Sequence, residues 1–331
     1  MALSVGWPGL LAHEYVRNAA MAGGLTALGA GLAGWFVVLR NQVFAADALS
    51  HVAFTGGLAA LAYGVGAGFG VYAGTVGLAV ILGLLGGRTE QVGDTVIGIV
   101  FAWVLGMGSY FMSVFVSGGS SSDGTAATRV LFGSLFGIDT VQVRTTGLVA
   151  AVTVGGLLVL ARPLLFATVD PAVARAQGVP VRAIEVAFLA LLGLAVAQAV
   201  QVVGALLLLA LVATPAATAH RITSRPWRAM WLSAGLALAS VWVGIAVSYV
   251  HDRLPPSFVI VSLAFAGYLV AVVACRLGSG RGASGRSSSS RRLSSRKHRS
   301  CGRSRSSVSR RPVSLDHVAT SATVAGPNAP R

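Results

Sequence analysis

Long apolar stretches alternate with short polar links along most of the chain. Seven of these stretches are long enough to cross about 30 Å of hydrocarbon as an α-helix, which takes roughly 17 to 25 residues. They cover residues 18–39, 46–66, 68–86, 92–116, 145–161, 229–250 and 257–275. The pattern predicts an all-α polytopic membrane protein.

One further apolar run is too long for a single crossing. Residues 186–219 are 34 residues without a charged side chain, and as one helix they would extend about 50 Å. We therefore predict two short crossings, or a broken re-entrant pair, turning near Ala197–Gly204. Counting the run as one or two crossings gives about eight or nine transmembrane helices.

The arginines orient these spans. With nine crossings and the N-terminus outside, nine arginines before residue 277 fall on the cytoplasmic side and four fall outside, as the positive-inside rule requires. The nine cytoplasmic arginines are Arg40, Arg88, Arg162, Arg175, Arg182, Arg221, Arg225, Arg228 and Arg276. We expect a multi-pass protein of the plasma membrane with its N-terminus outside and its C-terminal tail in the cytoplasm.

Two polar links have features of their own. On the outside, residues 117–128 form a flexible loop, followed by an apolar segment at 129–139 that is too short to span and is expected to be an interfacial helix. On the inside, Asp170–Pro180 has the signals of a short helix: Asp170 as its cap, a proline at its first position and Gly178 as its stop. This cytoplasmic helix has room to contact a soluble partner.

The charge separates a membrane domain from a tail. The chain is 55% hydrophobic and only 11% charged, whereas soluble domains average about 25% charged residues. Residues 277–331 contribute +11 of the net charge of +15, so the basicity belongs mainly to a Ser/Arg-rich segment that cannot form a core. We predict a transmembrane domain over 1–276 and a disordered cytoplasmic tail over 277–331, with no specific nucleic-acid partner.

Asp47 and His51 are the candidate metal ligands. They are one helical turn apart in the second apolar stretch and therefore share a face of the helix. A carboxylate and an imidazole suit Zn²⁺, Mn²⁺ or Fe²⁺ and supply half of a four-coordinate site. The alternative is that Asp47 caps this span and His51 is satisfied in its first turn, and the spacing alone leaves both interpretations open.

Other polar residues beside the apolar runs have structural interpretations. Glu185 is expected to pair with Arg182 at the membrane surface, while Gln198 and Gln201 could bond to neighbouring backbone in a broken helix. His220 follows an apolar run at its inner end, where we expect a solvated or headgroup-facing ring.

Missing motifs exclude several activities. The only lysine is Lys297, in the tail, so there is no G-x-x-x-x-G-K-[ST] loop for nucleotide phosphates. The sequence also lacks H-E-x-x-H, G-x-S-x-G and C-x-x-C, which carry common hydrolytic and metal chemistry. The chain is therefore predicted not to be an enzyme and to hold no permanent cofactor.

Five segments, in order, resemble the permease subunits of bacterial zinc and manganese ABC importers. They are DALSHVAFTGGLA (Asp47–Ala59), DTVIGI (Asp94–Ile99), LFGSLFGI (Leu131–Ile138), VGALLLLALVATPAATA (Val203–Ala219) and VSYVHDRLPPSFVIV (Val247–Val261). Any one match is weak, but five in sequence are specific. The chain departs from that pattern in having Gly and Ala at many span positions.

The resemblance implies a transport function and its partners. It implies a homodimer, two copies of a separate ATPase subunit and an extracytoplasmic metal-binding protein, with a divalent metal carried as substrate by alternating access. Asp47 and His51 match positions that contact metal in the family. The cytoplasmic element that fits the ATPase matches the segment containing Asp170, Ala174, Arg175, Gln177 and Gly178.

Two other transport functions stay open from the sequence. One is an ABC permease for a larger iron chelate or cobalamin, which would not need the pair Asp47 and His51. The other is an ion-coupled secondary metal transporter, in which Asp47, His51 and Glu185 form a relay. A membrane metalloenzyme would need a third protein ligand and a general base at the same site, and neither is visible in the sequence.

Overall fold

The structure is a computed structural model that describes residues 13–85, 94–117, 133, 135–251 and 255–297. The chain divides into two compact units, Met1–Gly278 and Ser279–Arg331. The predicted external loop beyond Ser117, the predicted cytoplasmic position of Arg88 and the tail after Lys297 lie outside the described residues.

The described residues form ten α-helices and one 3₁₀ turn, without a β-strand among them. The helices are α1 (Glu14–Leu39), α2 (Val43–Ala62), α3 (Ala67–Leu85), α4 (Asp94–Ser117), α5 (Thr140–Val169), α6 (Pro171–Ala176), α7 (Val181–Val202), α8 (Ala205–Ile222), α9 (Pro226–Val250) and α10 (Pro256–Lys297), and the 3₁₀ turn is Leu135–Gly137. This content confirms the predicted all-α class.

Eight of the described helices are long and apolar enough to cross a membrane, and α8 is a shorter apolar helix. The charge-free run is broken between α7 and α8 at Val203 and Gly204, inside the segment where the turn was predicted. Gly204 has φ of +100°, a backbone conformation that side chains disfavour. The glycine therefore allows the chain to turn sharply, and the broken pair is confirmed.

The core is built around α1. This helix packs against α5, α7, α8 and α9, and 78% of its most apolar window is buried. By contrast α4 packs mainly against α2, and only 11% of its window is buried. Helix α2 therefore lies between the core and the thinly packed α4.

The segment predicted as an interfacial helix is described only at Gly133 and from Leu135 onward. Its described part is a 3₁₀ turn rather than an α-helix, and both Leu135 and Ile138 are buried in the core cluster. Asn18 of α1 donates a hydrogen bond from its side chain to the carbonyl of Ile138 at 3.4 Å. The expectation of a surface helix is therefore wrong for this described part, because its apolar side chains insert against α1.

Helix α10 contains the last predicted span and continues to Lys297. It thus extends beyond the predicted domain boundary at residue 276. Residues 298–331 lie outside the described residues, so the division into a membrane domain and a disordered tail stays a prediction.

Candidate metal and coupling sites

Asp47 and His51 both lie inside helix α2, not at its start. The helix begins at Val43, with Gln42 as its N-cap. At 1.5 Å per residue, Asp47 lies about 6 Å and His51 about 12 Å along the helix axis from its first residue. The interpretation of Asp47 as the cap of this span is therefore wrong.

Aromatic rings lie on one side of the Asp47 and His51 side chains. Both Asp47 and His51 are half-buried. The His51 ring meets the ring of Phe101 from α4 edge-to-face at 5.1 Å between centroids, and Phe44 meets the same ring at 5.8 Å. Phe101 therefore covers one side of the candidate site and restricts the orientation of the imidazole.

Neither candidate ligand is engaged by another polar side chain in the described part of the chain. No hydrogen bond or ion pair from a described residue reaches the Asp47 carboxylate or the His51 ring, although the Ser50 hydroxyl donates to the main-chain carbonyl of Asp47 at 2.7 Å. A search of the described residues finds no group of three or more His, Cys, Asp or Glu side chains. Within those residues, one copy of the chain thus offers two ligands and leaves room for other ligands or water.

A largely buried polar cluster lies at the turn between α1 and α2, just before the helix that carries the two candidate ligands. The Arg40 guanidinium forms an ion pair with the Glu185 carboxylate of α7, and both side chains are about 5% exposed or less. The Gln42 side chain donates to the other carboxylate oxygen of Glu185 at 2.8 Å, and Arg40 also donates to the Thr168 hydroxyl of α5 at 3.3 Å. We refer to Arg40, Gln42, Thr168 and Glu185 as the polar cluster.

The expected pairing of Glu185 with Arg182 is wrong. Arg182 is exposed and donates instead to the carbonyl of Leu84, at the end of α3, at 2.9 Å. Glu185 lies on the inner face of α7, where it meets the α1–α2 turn. Its partner is 145 residues away in sequence, and the only sequence signal for it is the polar triplet Arg40, Asn41 and Gln42 between two apolar runs.

The predicted cytoplasmic helix is present as α6. The Asp170 carboxylate accepts a hydrogen bond from the Val173 amide at 3.0 Å, and Pro171 is the first residue of the helix. Gly178 follows the helix with φ of +81°, which a glycine adopts without strain. The cap, the first residue and the stop are therefore where the sequence places them.

One face of α6 is buried and the other is open. Ala174 is fully buried against Ala167 at the end of α5 and Val181 at the start of α7. Arg175 and Gln177, as well as Asp170 and Gly178, are exposed. The element is therefore fixed to two spanning helices through its small residue and presents polar groups outward.

The remaining polar candidates have structural contacts. Gln198 donates to the Thr26 hydroxyl of α1 at 3.0 Å, and Gln201 donates to the carbonyl of Gly68 at 3.4 Å. Gln201 thus bonds to backbone, as expected, but to that of α3 rather than that of the broken helix, whereas Gln198 bonds to a side chain. His220 is half-buried and stacks on Trp35 at 5.6 Å with a 7° angle between rings, so one face of the ring is packed while the ring stays partly accessible.

Known proteins are similar in sequence to most of this chain. It is 29% identical over 245 residues to the manganese transport system membrane protein MntC of Halalkalibacterium halodurans, covering 73% of this chain and 82% of that protein. It is 30% identical over 244 residues to the manganese import system permease protein ScaB of Streptococcus parasanguinis, covering 73% and 84%.

A solved structure shares the fold. The structure of PsaBC from Streptococcus pneumoniae in complex with Fab matches with a TM-score of 0.68 and 26% identity, covering 80% of this chain and 93% of that chain. The model of the ABC 3 transport family matches residues 12–275, which include α1 to α9, most of the spanning part of α10 and both candidate sites. The chain therefore belongs to the ABC 3 transport family.

Proposed function

We propose that the chain is the membrane-spanning permease subunit of an ATP-driven importer of divalent transition metal ions, with Mn²⁺ as the first candidate substrate and Zn²⁺ and Fe²⁺ as the others. The observation that carries the proposal is the pair Asp47 and His51, one turn apart in a spanning helix and not engaged by any polar side chain of the described residues. The names of two relatives, which describe manganese transport and import, favour Mn²⁺.

The chemistry of the pair fits a passing cation. A dehydrated divalent ion is unstable in hydrocarbon, so a carboxylate and an imidazole must replace part of its water shell. Two ligands from one chain bind less tightly than a closed four-ligand cage, and transport requires binding weak enough for release. The geometry therefore suits a transient site.

The exposure of the pair supports a second copy of the chain. A carboxylate that faces acyl chains is unfavourable, less so near the interface than at the bilayer centre, and Asp47 is only half-buried by its own chain. A homodimer that encloses the open side of Asp47 and His51 would form a polar passage and remove this cost. The second copy is therefore part of the proposal.

Helix α6 is the proposed contact with a separate ATPase. Its exposed residues Asp170, Arg175, Gln177 and Gly178 face away from the membrane helices, while Ala174 anchors it. The sequence has no phosphate-binding loop of its own, which supports ATP hydrolysis by a separate subunit. Closure of two ATPase copies would push α6 and expose the metal site alternately to the two sides.

The direction of transport follows from the proposed orientation. With the N-terminus outside and α6 in the cytoplasm, an extracytoplasmic binding protein would deliver metal at the outer ends of the helices. Asp47 and His51 would then lie in the cytoplasmic half of α2, because that helix starts from the inner side. Metal would leave from there into the cytoplasm.

The test is uptake by the complete transporter in proteoliposomes. The chain would be reconstituted with its ATPase and binding protein, and Mn²⁺, Zn²⁺ and Fe²⁺ uptake measured with and without ATP. We expect ATP-dependent uptake that is lost in Asp47→Asn and in His51→Ala but kept in His251→Ala, which changes an exposed histidine at the end of α9.

Each rival function has a different result in the same assay. Uptake that needs no ATP would indicate an ion-coupled secondary transporter. Retention of transport in the double variant Asp47→Ala/His51→Ala would instead indicate a permease for a larger chelate. Either result would refute the proposed function.

A further inference from the structure

The polar cluster ties together three parts of the fold that are distant in sequence. Arg40 is the C-cap of α1 and Gln42 is the N-cap of α2, so both belong to the turn between these helices. Glu185 comes from α7 and Thr168 from the last turn of α5. The turn at the start of α2 is thus bonded to both helices that flank α6.

The geometry of the cluster fixes the turn in more than one direction. One carboxylate oxygen of Glu185 accepts from the Arg40 guanidinium and the other accepts from the Gln42 amide at 2.8 Å. A second guanidinium nitrogen of Arg40 reaches the Thr168 hydroxyl at 3.3 Å, and that hydroxyl donates to the Leu164 carbonyl at 2.6 Å. Charge-assisted hydrogen bonds in a buried site are strong and directional, so α2 cannot slide past α7 here without breaking them.

The cluster is next to the anchor of α6. Thr168 follows Ala167 directly, and Glu185 lies one helical turn after Val181. Ala167 and Val181 are the buried residues that pack with Ala174 of α6, and Phe166 and Val179 pack against the same small cluster. A displacement of α6 therefore reaches the polar cluster within one helical turn on each side.

On its other side the cluster is close to the candidate ligands. Gln42 precedes Asp47 by five residues, which corresponds to about 7.5 Å along the helix axis. Helix α2 is continuous from Val43 to Ala62 and therefore moves as a rigid element over this distance. A force on the Gln42 end shifts Asp47 and His51 with it.

We propose that Glu185 is a positioning residue that, through Arg40 and Gln42, transmits displacement of α6 to α2 and so to the metal ligands Asp47 and His51. This inference rests on the proposed function. It adds a specific link between the proposed ATPase contact and the candidate metal site, made by residues that belong to neither set.

An ion pair is not needed here for stability alone. Replacing a buried ion pair by apolar residues of similar volume often leaves stability unchanged or raises it. A well-packed apolar pair would, however, lack the directional bonds that prevent sliding. Stability and coupling can therefore be separated by mutation.

The experiment measures metal ions imported per ATP hydrolysed by the complete reconstituted transporter. The key variant is Arg40→Met/Glu185→Leu, which removes the bonds and keeps apolar volume, and Arg182→Gln is the matched control at an exposed position three residues before Glu185. We expect the first to lower Mn²⁺ uptake per ATP by about tenfold in a folded protein with the Mn²⁺ affinity of the wild type. Its melting temperature should fall modestly, because the buried Gln42 amide loses its acceptor on Glu185. The control should keep the wild-type ratio.

A second variant tests the same link if the Arg40→Met/Glu185→Leu protein does not fold. Arg40→Lys keeps the charge beside Glu185 but loses the fork that reaches Thr168, and we expect a partial loss of uptake per ATP in a folded protein. A wild-type ratio in every folded variant of the cluster would overturn the inference while leaving the proposed function intact. Absence of ATP-dependent uptake in the wild type would overturn the proposed function, and this inference with it.

Discussion

Helix α1 approaches α9 so closely at Gly31 that an added methyl group should force the helices apart. A Cβ at Gly31 would lie 2.7 Å from the Cα of Ala234 and 3.0 Å from the carbonyl oxygen of Ser233. Both are backbone atoms of α9 and cannot rotate away. Restoring ordinary contact at 3.4 Å needs a shift of about 0.7 Å in two helices of a close-packed core.

The expected size of the effect follows from three contributions. Overpacking of a core costs about 1 to 3 kcal/mol. Separation of the helices also weakens the hydrogen bond from the Ser233 hydroxyl to the Gly31 carbonyl, 2.8 Å long, which is worth about 1 kcal/mol. Alanine gains about 1 kcal/mol over glycine in a helix. Gly31→Ala is therefore expected to lower the free energy of unfolding by about 2 kcal/mol.

Gly29 supplies the matched control two residues earlier in the same helix. It is buried too, but a Cβ there would meet only the Thr153 methyl carbon, at 3.8 Å, which is ordinary contact. Gly29→Ala should be neutral or stabilise by up to about 1 kcal/mol. The assay is unfolding in detergent micelles followed by tryptophan fluorescence, with melting temperatures compared for the two variants. Equal shifts for both variants, or a stabilised Gly31→Ala, would refute this account of the α1–α9 contact.

Three further predictions concern the polar cluster and α6. Glu185→Ala should destabilise the protein by about 3 to 5 kcal/mol, because it leaves Arg40 buried without its counter-ion. Arg182 is exposed on the same helix, and Arg182→Ala should change the unfolding free energy by less than about 0.5 kcal/mol in the same assay. Asp170→Ala should weaken α6 by about 1 kcal/mol through loss of its cap and reduce stimulation of the ATPase by the permease, while unchanged stimulation would argue against α6 as the contact. Gly178→Ala forces a side chain into φ of +81° at a cost of about 1 to 2 kcal/mol; unaltered affinity for the purified ATPase subunit would count against the proposed role of this turn.

The lengths of the apolar stretches made most of the fold predictable from the sequence. The spans and the break at Gly204 follow from how many apolar residues can cross a bilayer, which is a local property of the sequence. The cap and stop of α6 were likewise predictable, because Asp170 and Gly178 act on their own helix.

Contacts between distant helices were not predictable in the same way. Glu185 has an arginine three residues earlier, and local spacing favours that pairing, but α7 turns Glu185 inward to Arg40. The segment around Ile138 is apolar and short, which fits an interfacial helix equally well, yet α1 offers Asn18 as a partner for its carbonyl. Such partners are chosen by tertiary packing, which a single sequence does not display.

The candidate metal site is intermediate between these cases. The spacing of Asp47 and His51 predicts a shared helical face, and α2 places them on one. The start of α2 at Val43 could not be read from the apolar run, which begins at residue 46. That earlier start moves Asp47 into the helix and removes the capping role.

The most direct test of the central claim is pulsed electron paramagnetic resonance of Mn²⁺ bound to the reconstituted permease. If His51 is a ligand, the wild type should show coupling of the manganese electron spin to an imidazole nitrogen, and this signal should vanish in His51→Ala while persisting in His251→Ala. Asp47→Asn should weaken Mn²⁺ binding without removing the nitrogen coupling. Persistence of the nitrogen signal at full strength in His51→Ala would contradict the assignment of the metal pathway to helix α2.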